Sequence, residues 1–326
     1  MIITQTPVRI SFLGGGTDFP DFYSKEGGMV VSSAIDKYIF VVAKRRFDPN
    51  IRVGYSRTEL VDTVEELQHD LVREALRKTG IESGIEVTTI ADIPSEGSGL
   101  GSSSAVTVGL LNAFYQYQGE IRGPQWIAEE ACHIEIEYLK KPIGCQDQYI
   151  CALGGLRAIT FHPEGRVEAE RIPLSDGALL EFEEQVLLFY TGKTRKADNV
   201  LTEQVGQMET NWEALRTLKA LAVQAKDDLI HGRFNSIGHA MHEGWALKKK
   251  LSSGISNGQI NEMYDAAREA GALGGKIAGA GGGGFLLLFC PHGTQTRVRR
   301  ALSGLRELPF KLEYDGTKAI FNNRRR

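Results

Sequence analysis

Three clusters of glycine constrain this chain more than any other feature. They stand at Gly14-Gly15-Gly16, at Gly97, Gly99 and Gly101, and in the run GGKIAGAGGGGF that spans 274–285. Glycine loses more conformational freedom on folding than any other residue, so a dense run directly ahead of an apolar strand is tolerable only where the backbone must approach something closely. The chain has 37 glycines in 326 residues, against roughly 23 at an average usage of about 7%. The surplus falls in these clusters. With 10 prolines and no G-x-y period the chain is neither collagen-like nor low-complexity. A flexible linker is a poor account of the third cluster, which lies between a helical pattern and the apolar stretch FLLLFC.

An apolar content of 42% with 24% charged residues is that of an ordinary globular protein, and the length suggests two domains. A net charge of −3 without a basic stripe argues against nucleic acid as the main partner, and Arg324-Arg325-Arg326 reads as a solvated tail. No apolar run approaches the length of a membrane span, and the N-terminal MIITQTPVRISFLGGG lacks a basic n-region. Cys132, Cys145, Cys151 and Cys290 form no CxxC pair, which predicts neither a zinc site nor a disulfide framework. A cytoplasmic protein with no membrane partner is expected.

Hydrophobic periodicity predicts strands over 2–13, 28–47, 86–93 and 186–191, another from Phe285, and the last ones within 310–321. It predicts helices over 65–78 with Gly80 as C-cap, from the 102–104 serines through Tyr117, and over 126–141, 201–231, 234–251, 260–270 and 294–302. Strands and helices mix without strict alternation, which favours an α+β fold. The charged stretch RIPLSDGALLEFEEQ marks the expected boundary between an N-terminal domain, 1–175, and a C-terminal domain, 176–326.

The segment PSEGSGLGSSSA places three glycines at every second position and three serines at a predicted helix start. Glycines let backbone N–H groups approach an anion, and a helix N-terminus offers unpaired donors and about half a positive charge, so the segment reads as a phosphate cradle. It is not a Walker A loop, because no lysine precedes the hydroxyl residue, and it is not GxGxxG, because Gly99-x-Gly101 is followed by Ser104. The plainer reading is a capped loop with Ser102 or Ser103 at the helix N-cap. In RISFLGGGTDF, Arg9 is a charge inside an otherwise apolar strand and Asp18 follows the glycines.

Taken together, PVRISFLGGGTD, PSEGSGLGSSSA and GGKIAGAGGGGF resemble, in order and across nearly the whole chain, the three motifs of the GHMP kinase superfamily. The resemblance implies an N-terminal domain like ribosomal protein S5 domain 2 and a ferredoxin-like C-terminal domain, with ATP and substrate bound between them. It implies that Gly97, Ser98, Gly99, Leu100, Gly101, Ser102, Ser103 and Ser104 bind ATP. The segment IEIEYLKKPIGCQDQY is similar to the galactokinase pattern of a glutamate ahead of PxGxxDQ. Helical periodicity leaves Glu135 and Glu137 about equally far from the buried stripe; the family spacing selects Glu135. Ser103 and Glu135 would then hold Mg²⁺, Asp147 would be the general base, and Arg9 would stabilise charge on the transferring phosphoryl group.

The first motif reads GGGTD where galactokinases have GEHTD, so two sugar contacts are missing and only Asp18 matches. Within the superfamily this form, with FYTGKTRKA and LKKKLSSGISN, resembles the D-glycero-D-manno-heptose 7-phosphate kinases most closely, and L-fucokinase-like enzymes more distantly. The implied reaction is phosphorylation of the anomeric C1 hydroxyl, with ATP and a small phosphorylated sugar as partners. Gly15, Gly16, Thr17, Asp18, Gly281 and Gly282 are expected at the substrate, and Arg195 is the candidate for its existing phosphate. Lys248, Lys249 and Lys250 read as a solvated helical face. A kinase for another sugar such as L-fucose is the nearest alternative, and a silent nucleotide- or sugar-binding regulator a more distant one. Whether the enzyme is a monomer or a homodimer is not encoded in these motifs.

Overall fold

The protein is represented by a computed structural model that describes residues 1–94, 97–193 and 197–323. Two sheets organise it. The first contains eight strands: β1 (Ile2–Leu13), β2 (Gly28–Arg45), β3 (Ile51–Gly54), β4 (Thr58–Val61), β5 (Ile85–Ala91), β6 (Leu156–Phe161), β7 (Val167–Arg171) and, after four strands of the other sheet, the last strand (Lys318–Asn322). The 18-residue β2 is its spine, pairing along β1, with β5 at one end and with β6 at the other. The register of β1 on β2 shifts after Pro7 and again between Ser11 and Leu13. A proline with no N–H to give the ladder favours such a break. In β1, Val8, Ile10 and Phe12 enter the core, while Arg9 and Ser11 line a cleft. Strand alternation therefore explains the charge inside an apolar strand.

The second sheet has β8 (Val186–Tyr190), β9 (Gly274–Ile277), β10 (Phe285–Phe289) and β11 (Arg306–Glu307) in the order β11-β8-β10-β9, all antiparallel. Counted along this part of the chain the order is 4-1-3-2, the ferredoxin-like arrangement expected. Both faces of β10 are buried: Leu287 and Phe289 join the core under the first sheet, whereas Leu286 and Leu288 join a second core with Trp245 and Leu218. That two-sided burial is why FLLLF is continuously apolar rather than alternating.

Several expected elements differ in detail. The helix expected at 65–78 forms over Asp70–Thr79 and ends at Gly80 in the left-handed conformation, φ +67°. The long helix expected over 201–231 is two, Ala197–Gly206 and Trp212–Ile230, separated by turns. The boundary stretch holds a helix, Asp176–Glu184, capped by Ser175. The end of the chain, counted by sequence with the second domain, crosses back instead. Its strand Lys318–Asn322 lies antiparallel on β1, and Thr317 is bonded to Thr6 and Asn112 of the first sheet region. An edge strand as long as β1 leaves a row of unpaired backbone groups, and this return covers them. No described helix is long and apolar enough to cross a membrane.

Candidate active site

The helix expected over 126–141 is α-helical only across Pro124–Cys132 and widens into a π-helical turn over His133–Tyr138. Leu139 N donates to Ile134 O, five residues back, at 3.0 Å. Such single π turns recur at functional sites because they re-aim side chains. Here the turn separates the two candidate carboxylates: Glu135 is fully buried, and Glu137 points outward and pairs with His133 at 2.8 Å. Burial pushes the Glu135 carboxyl above the ordinary carboxylate range, opposed by Lys141 and by its hydrogen bonds.

A second short helix, Gln146–Leu153, lies unforeseen just beyond, and its first turn organises the site. Three consecutive residues each engage a different charged group. Gln146 Nε2 donates to Asp18 Oδ2 at 3.0 Å; Asp147 takes both forks of Arg9, Nε to Oδ1 at 2.7 Å and Nη2 to Oδ2 at 2.5 Å; Gln148 Nε2 donates to Glu135 Oε2 at 2.7 Å. Asp147 is 22% exposed and opens to the cleft, while Arg9 is almost wholly buried. Burial acts to lower the Arg9 pKa, but the Asp147 charge and hydrogen bond outweigh it and raise it, so the guanidinium stays charged.

The serines divide by face. Ser102 and Ser104 are buried, and Ser103 is exposed at the start of the helix Ser102–Gln118. Ser103 Oγ donates to Glu135 Oε1 at 2.6 Å and Ser104 Oγ to Oε2 at 2.8 Å. Neither Ser102 nor Ser103 is the N-cap; that position belongs to Gly101 in the left-handed conformation, φ +77°. The first turn of N–H groups has no partner within the helix and is available to an anion. Ser98 and Ser102 share a hydrogen bond of 2.9 Å, and Leu100 O accepts from Arg9 N at 2.9 Å, which fixes the 97–101 loop beside β1.

The third glycine cluster packs on the second. A Cβ on Gly99 (φ +73°) would lie 2.3 Å from Ala278 O, and one on Gly279 (φ +68°) would lie 2.7 Å from the Gly99 Cα. Backbone meets backbone here, and only glycine fits on either side. Gly281 and Gly282, expected at the substrate, lie against Ile255, with Gly282 N donating to Ile255 O at 2.8 Å.

Beside these loops is a cleft, open to solvent, whose walls include Arg9, Ser11, Gly15, Gly16, Asp18, Gly144, Gln146, Asp147, Lys248, Lys276 and Gly279. Asp18 accepts from Gly16 N at 2.9 Å, and burial raises its pKa despite that bond. Gly15, Gly16 and Asp18 line this cleft. Thr17 does not: its buried hydroxyl is bonded to Gly14 O and to Met29, tying the loop down. Arg195 lies outside the described residues.

Lys248 corrects the reading of 248–250 as a solvated face. Lys249 and Lys250 are exposed, but Lys248 is 7% exposed and donates to Gly279 O. It falls on the buried stripe of the helix Phe234–Leu251 with Met241, Trp245 and Leu251, a placement that periodicity in KKK could have exposed. Lys276, in GGKIAGAGGGGF, is a charge in a four-residue buried strand and carries the same signal as Arg9 in β1.

Comparison with known proteins decides the family. The profile of the GHMP kinases N terminal domain matches residues 62–155, and that of GHMP kinases C terminal matches residues 225–305. The D-glycero-alpha-D-manno-heptose 7-phosphate kinase of Campylobacter jejuni is 30% identical over 92% of this chain and 93% of its own. The chain belongs to the GHMP kinase family. Enzymes of this family are ATP-dependent phosphotransferases. The L-fucokinase/L-fucose-1-P guanylyltransferase of Bacteroides fragilis is 28% identical over 92% of this chain, but that match spans only 36% of the relative. Among solved structures, a D-glycero-D-manno-heptose 1-phosphate kinase from Bacteroides thetaiotaomicron superposes with a TM-score of 0.81 over 98% of each chain at 24% identity. That likeness concerns the fold.

Proposed function

We propose that this GHMP kinase transfers the γ-phosphoryl group of ATP to the anomeric C1 hydroxyl of D-glycero-D-manno-heptose 7-phosphate, giving the 1,7-bisphosphate. The observation that carries the phosphoryl-transfer reading is the first turn of the Gln146–Leu153 helix, which joins the Asp18, Arg9–Asp147 and Glu135–Ser103 groups in three successive residues. The heptose reading is supported by the relative that is 30% identical across 92% of the chain.

In the transfer, the C1 oxygen forms the new bond to phosphorus as the bond from phosphorus to the β-phosphate oxygen breaks, and ADP leaves. The hydroxyl proton passes to a carboxylate oxygen of Asp147, whose orientation is fixed by the two-pronged bond from Arg9. Arg9 keeps a permanent positive charge where the transferring group spreads its negative charge. Its third bond, Nη1 to Gly99 O at 2.5 Å, couples that charge to the 97–104 loop. Asp18 and Gln146 face the cleft with acceptors and a donor suited to sugar hydroxyls.

A divalent cation fits the Glu135–Ser103 pair: both donors are oxygens, the carboxyl is buried, and the serine hydroxyl opens to solvent 2.6 Å away. When bound with ATP there, Mg²⁺ neutralises phosphate charge. Lys141 supplies positive charge at the same place, 3.3 Å from Ser103 Oγ and 3.9 Å from Glu135 Oε1. Glu135→Gln keeps the shape and removes the charge, and is expected to lower turnover about 100-fold or more and to shift Mg²⁺ activation to higher concentration. A Mg²⁺ titration at fixed ATP, with calorimetric Mn²⁺ binding beside it, checks this; curves matching the unsubstituted enzyme would remove Glu135 as a ligand.

The acceptor is tested with a panel of the heptose 7-phosphate, the free heptose, L-fucose and galactose. Turnover is followed by ADP release and products by phosphorus NMR. The expected product carries two phosphorus resonances, one of them anomeric. Turnover with L-fucose and none with the heptose 7-phosphate would replace this reading with the fucokinase one.

A further inference from the structure

The cleft contains more positive charge than the transfer chemistry uses. Arg9 is matched by Asp147, but Lys248 and Lys276, 7% and 6% exposed, have no carboxylate partner among the described residues. Lys248 donates to the carbonyl of Gly279, and Lys276 reaches only Phe12 O at 3.4 Å. Taking two ammonium groups out of water without counter-ions is costly, and a bound anion would offset that cost.

The geometry around Gly15 shows where such an anion fits. At the point where a Cβ of Gly15 would stand, Gln146 Nε2 is 3.7 Å away, Ser11 Oγ 3.8 Å and Lys276 Nζ 3.9 Å. Three polar groups thus converge on space that any other side chain at position 15 would fill. Ser11 Oγ is buried and has no hydrogen-bond partner. The cleft wall contains no residue of the 97–104 loop, so this space lies on the acceptor's side and not the nucleotide's. A neutral sugar would be served by Asp18 and Gln146 and would bring no directly paired anion to either ammonium group.

We propose that Lys276, Lys248 and Ser11 form the subsite for the phosphate group that the acceptor already carries, and that this subsite makes the enzyme select a phosphorylated over an unphosphorylated sugar. The identity of the acceptor rests on the heptose reading above; the anion subsite does not. Burial, with Arg9 next in weight, pushes Lys248 down to about 8, and burial with Lys248 and Arg9 pushes Lys276 well below the usual lysine range, while Asp18 and Asp147 act in the opposite sense on both. Lysine is charged below its pKa, so affinity for the phosphorylated acceptor falls as pH rises through about 8.

Lys276→Met, Lys248→Met and Ser11→Ala, each checked for native circular dichroism, are assayed with the heptose 7-phosphate and with the free heptose. Lys276→Met is expected to raise KM for the phosphorylated sugar about 100-fold, to leave KM for ATP within about threefold and to abolish the preference for the phosphorylated form. If Lys276→Met does not fold, the same split is read from the other two variants. A raised KM for ATP with the preference unchanged would overturn the proposal and give the lysines to the nucleotide. A second measurement needs no turnover: calorimetric binding of inorganic phosphate with a non-hydrolysable ATP analogue at saturation. Binding that weakens about tenfold or more in the lysine variants supports the subsite even if the enzyme turns over no heptose phosphate; binding equal in all variants overturns it.

Discussion

Asp147→Asn is expected to lower kcat about 1,000-fold while binding of a non-hydrolysable ATP analogue stays within about threefold, because a positioned general base contributes on the order of 10²–10⁴ in rate. Asparagine has the same outline but cannot take the proton of the C1 hydroxyl. Its amide can accept from Arg9 Nε as Oδ1 does now, but it turns a donor toward Nη2 in place of Oδ2. Arg9 then loses a carboxylate it meets in a buried setting, and because Asp147 is 22% exposed, water reaches the gap and softens the cost to stability. The nucleotide measurement matters because Arg9 also bonds Gly99 O, so a displaced guanidinium would disturb the ATP loop. Steady-state ADP release gives kcat, and calorimetry gives the affinity. Undiminished turnover would remove Asp147 from the mechanism; a large loss of analogue affinity would make it a loop-positioning residue.

Gly99→Ala is expected to destabilise the protein by about 3 kcal/mol, combining overpacking with a left-handed backbone that alanine adopts reluctantly. The added Cβ would stand 2.3 Å from Ala278 O and 2.9 Å from its carbonyl carbon. A backbone carbonyl cannot swing aside as a flexible side chain would, so the two glycine loops must separate. Separation also draws Gly99 O from Arg9 and moves the helix N-terminus, so weaker ATP affinity accompanies the lower stability. Thermal unfolding should begin roughly 5–10 °C lower. Gly258→Ala is the control: it opens the helix Gly258–Glu269 with nothing within 4 Å of its Cβ position, and unchanged stability is expected there. Equal melting of Gly99→Ala and the unsubstituted protein would show that the loops do not depend on this contact.

Much of the site was legible in sequence because its chemistry is local. Phosphate loops require glycine beside a helix start, and Gly97 to Ser104 satisfy that within eight residues. Arg9 was legible because a charge breaks the pattern of an apolar strand, and Asp147 because it follows Glu135 at a family spacing. The helix Phe234–Leu251 emerged with its expected bounds because its buried stripe runs from Phe234 through Ile237, Met241 and Trp245 to Leu251.

Other features depend on which surfaces come together. Neither the choice of Glu135 over Glu137 nor the turn that makes it follows from a period of 3.6 residues, since the π-helical segment departs from that period. The short helix Gln146–Leu153 has too few residues to show a stripe, and its first turn gains its role only by meeting three distant partners. Lys248 and Lys276 look like ordinary surface lysines until β9 and the Phe234–Leu251 helix close on β1.

By itself, then, the sequence pointed to the family, to the 97–104 loop as a phosphate cradle and to Arg9 and Asp147, because the loop is written in backbone freedom, Arg9 in a break of periodicity, and the family and Asp147 in motifs at a recognisable spacing. The tertiary structure alone decided how the third glycine cluster is used and where the unpaired charge lies. Its glycines serve a backbone contact between Gly279 and Gly99 that no local pattern encodes. Its lysine acquires meaning from burial, since a charge becomes costly, and therefore informative, only once the fold has taken it out of water.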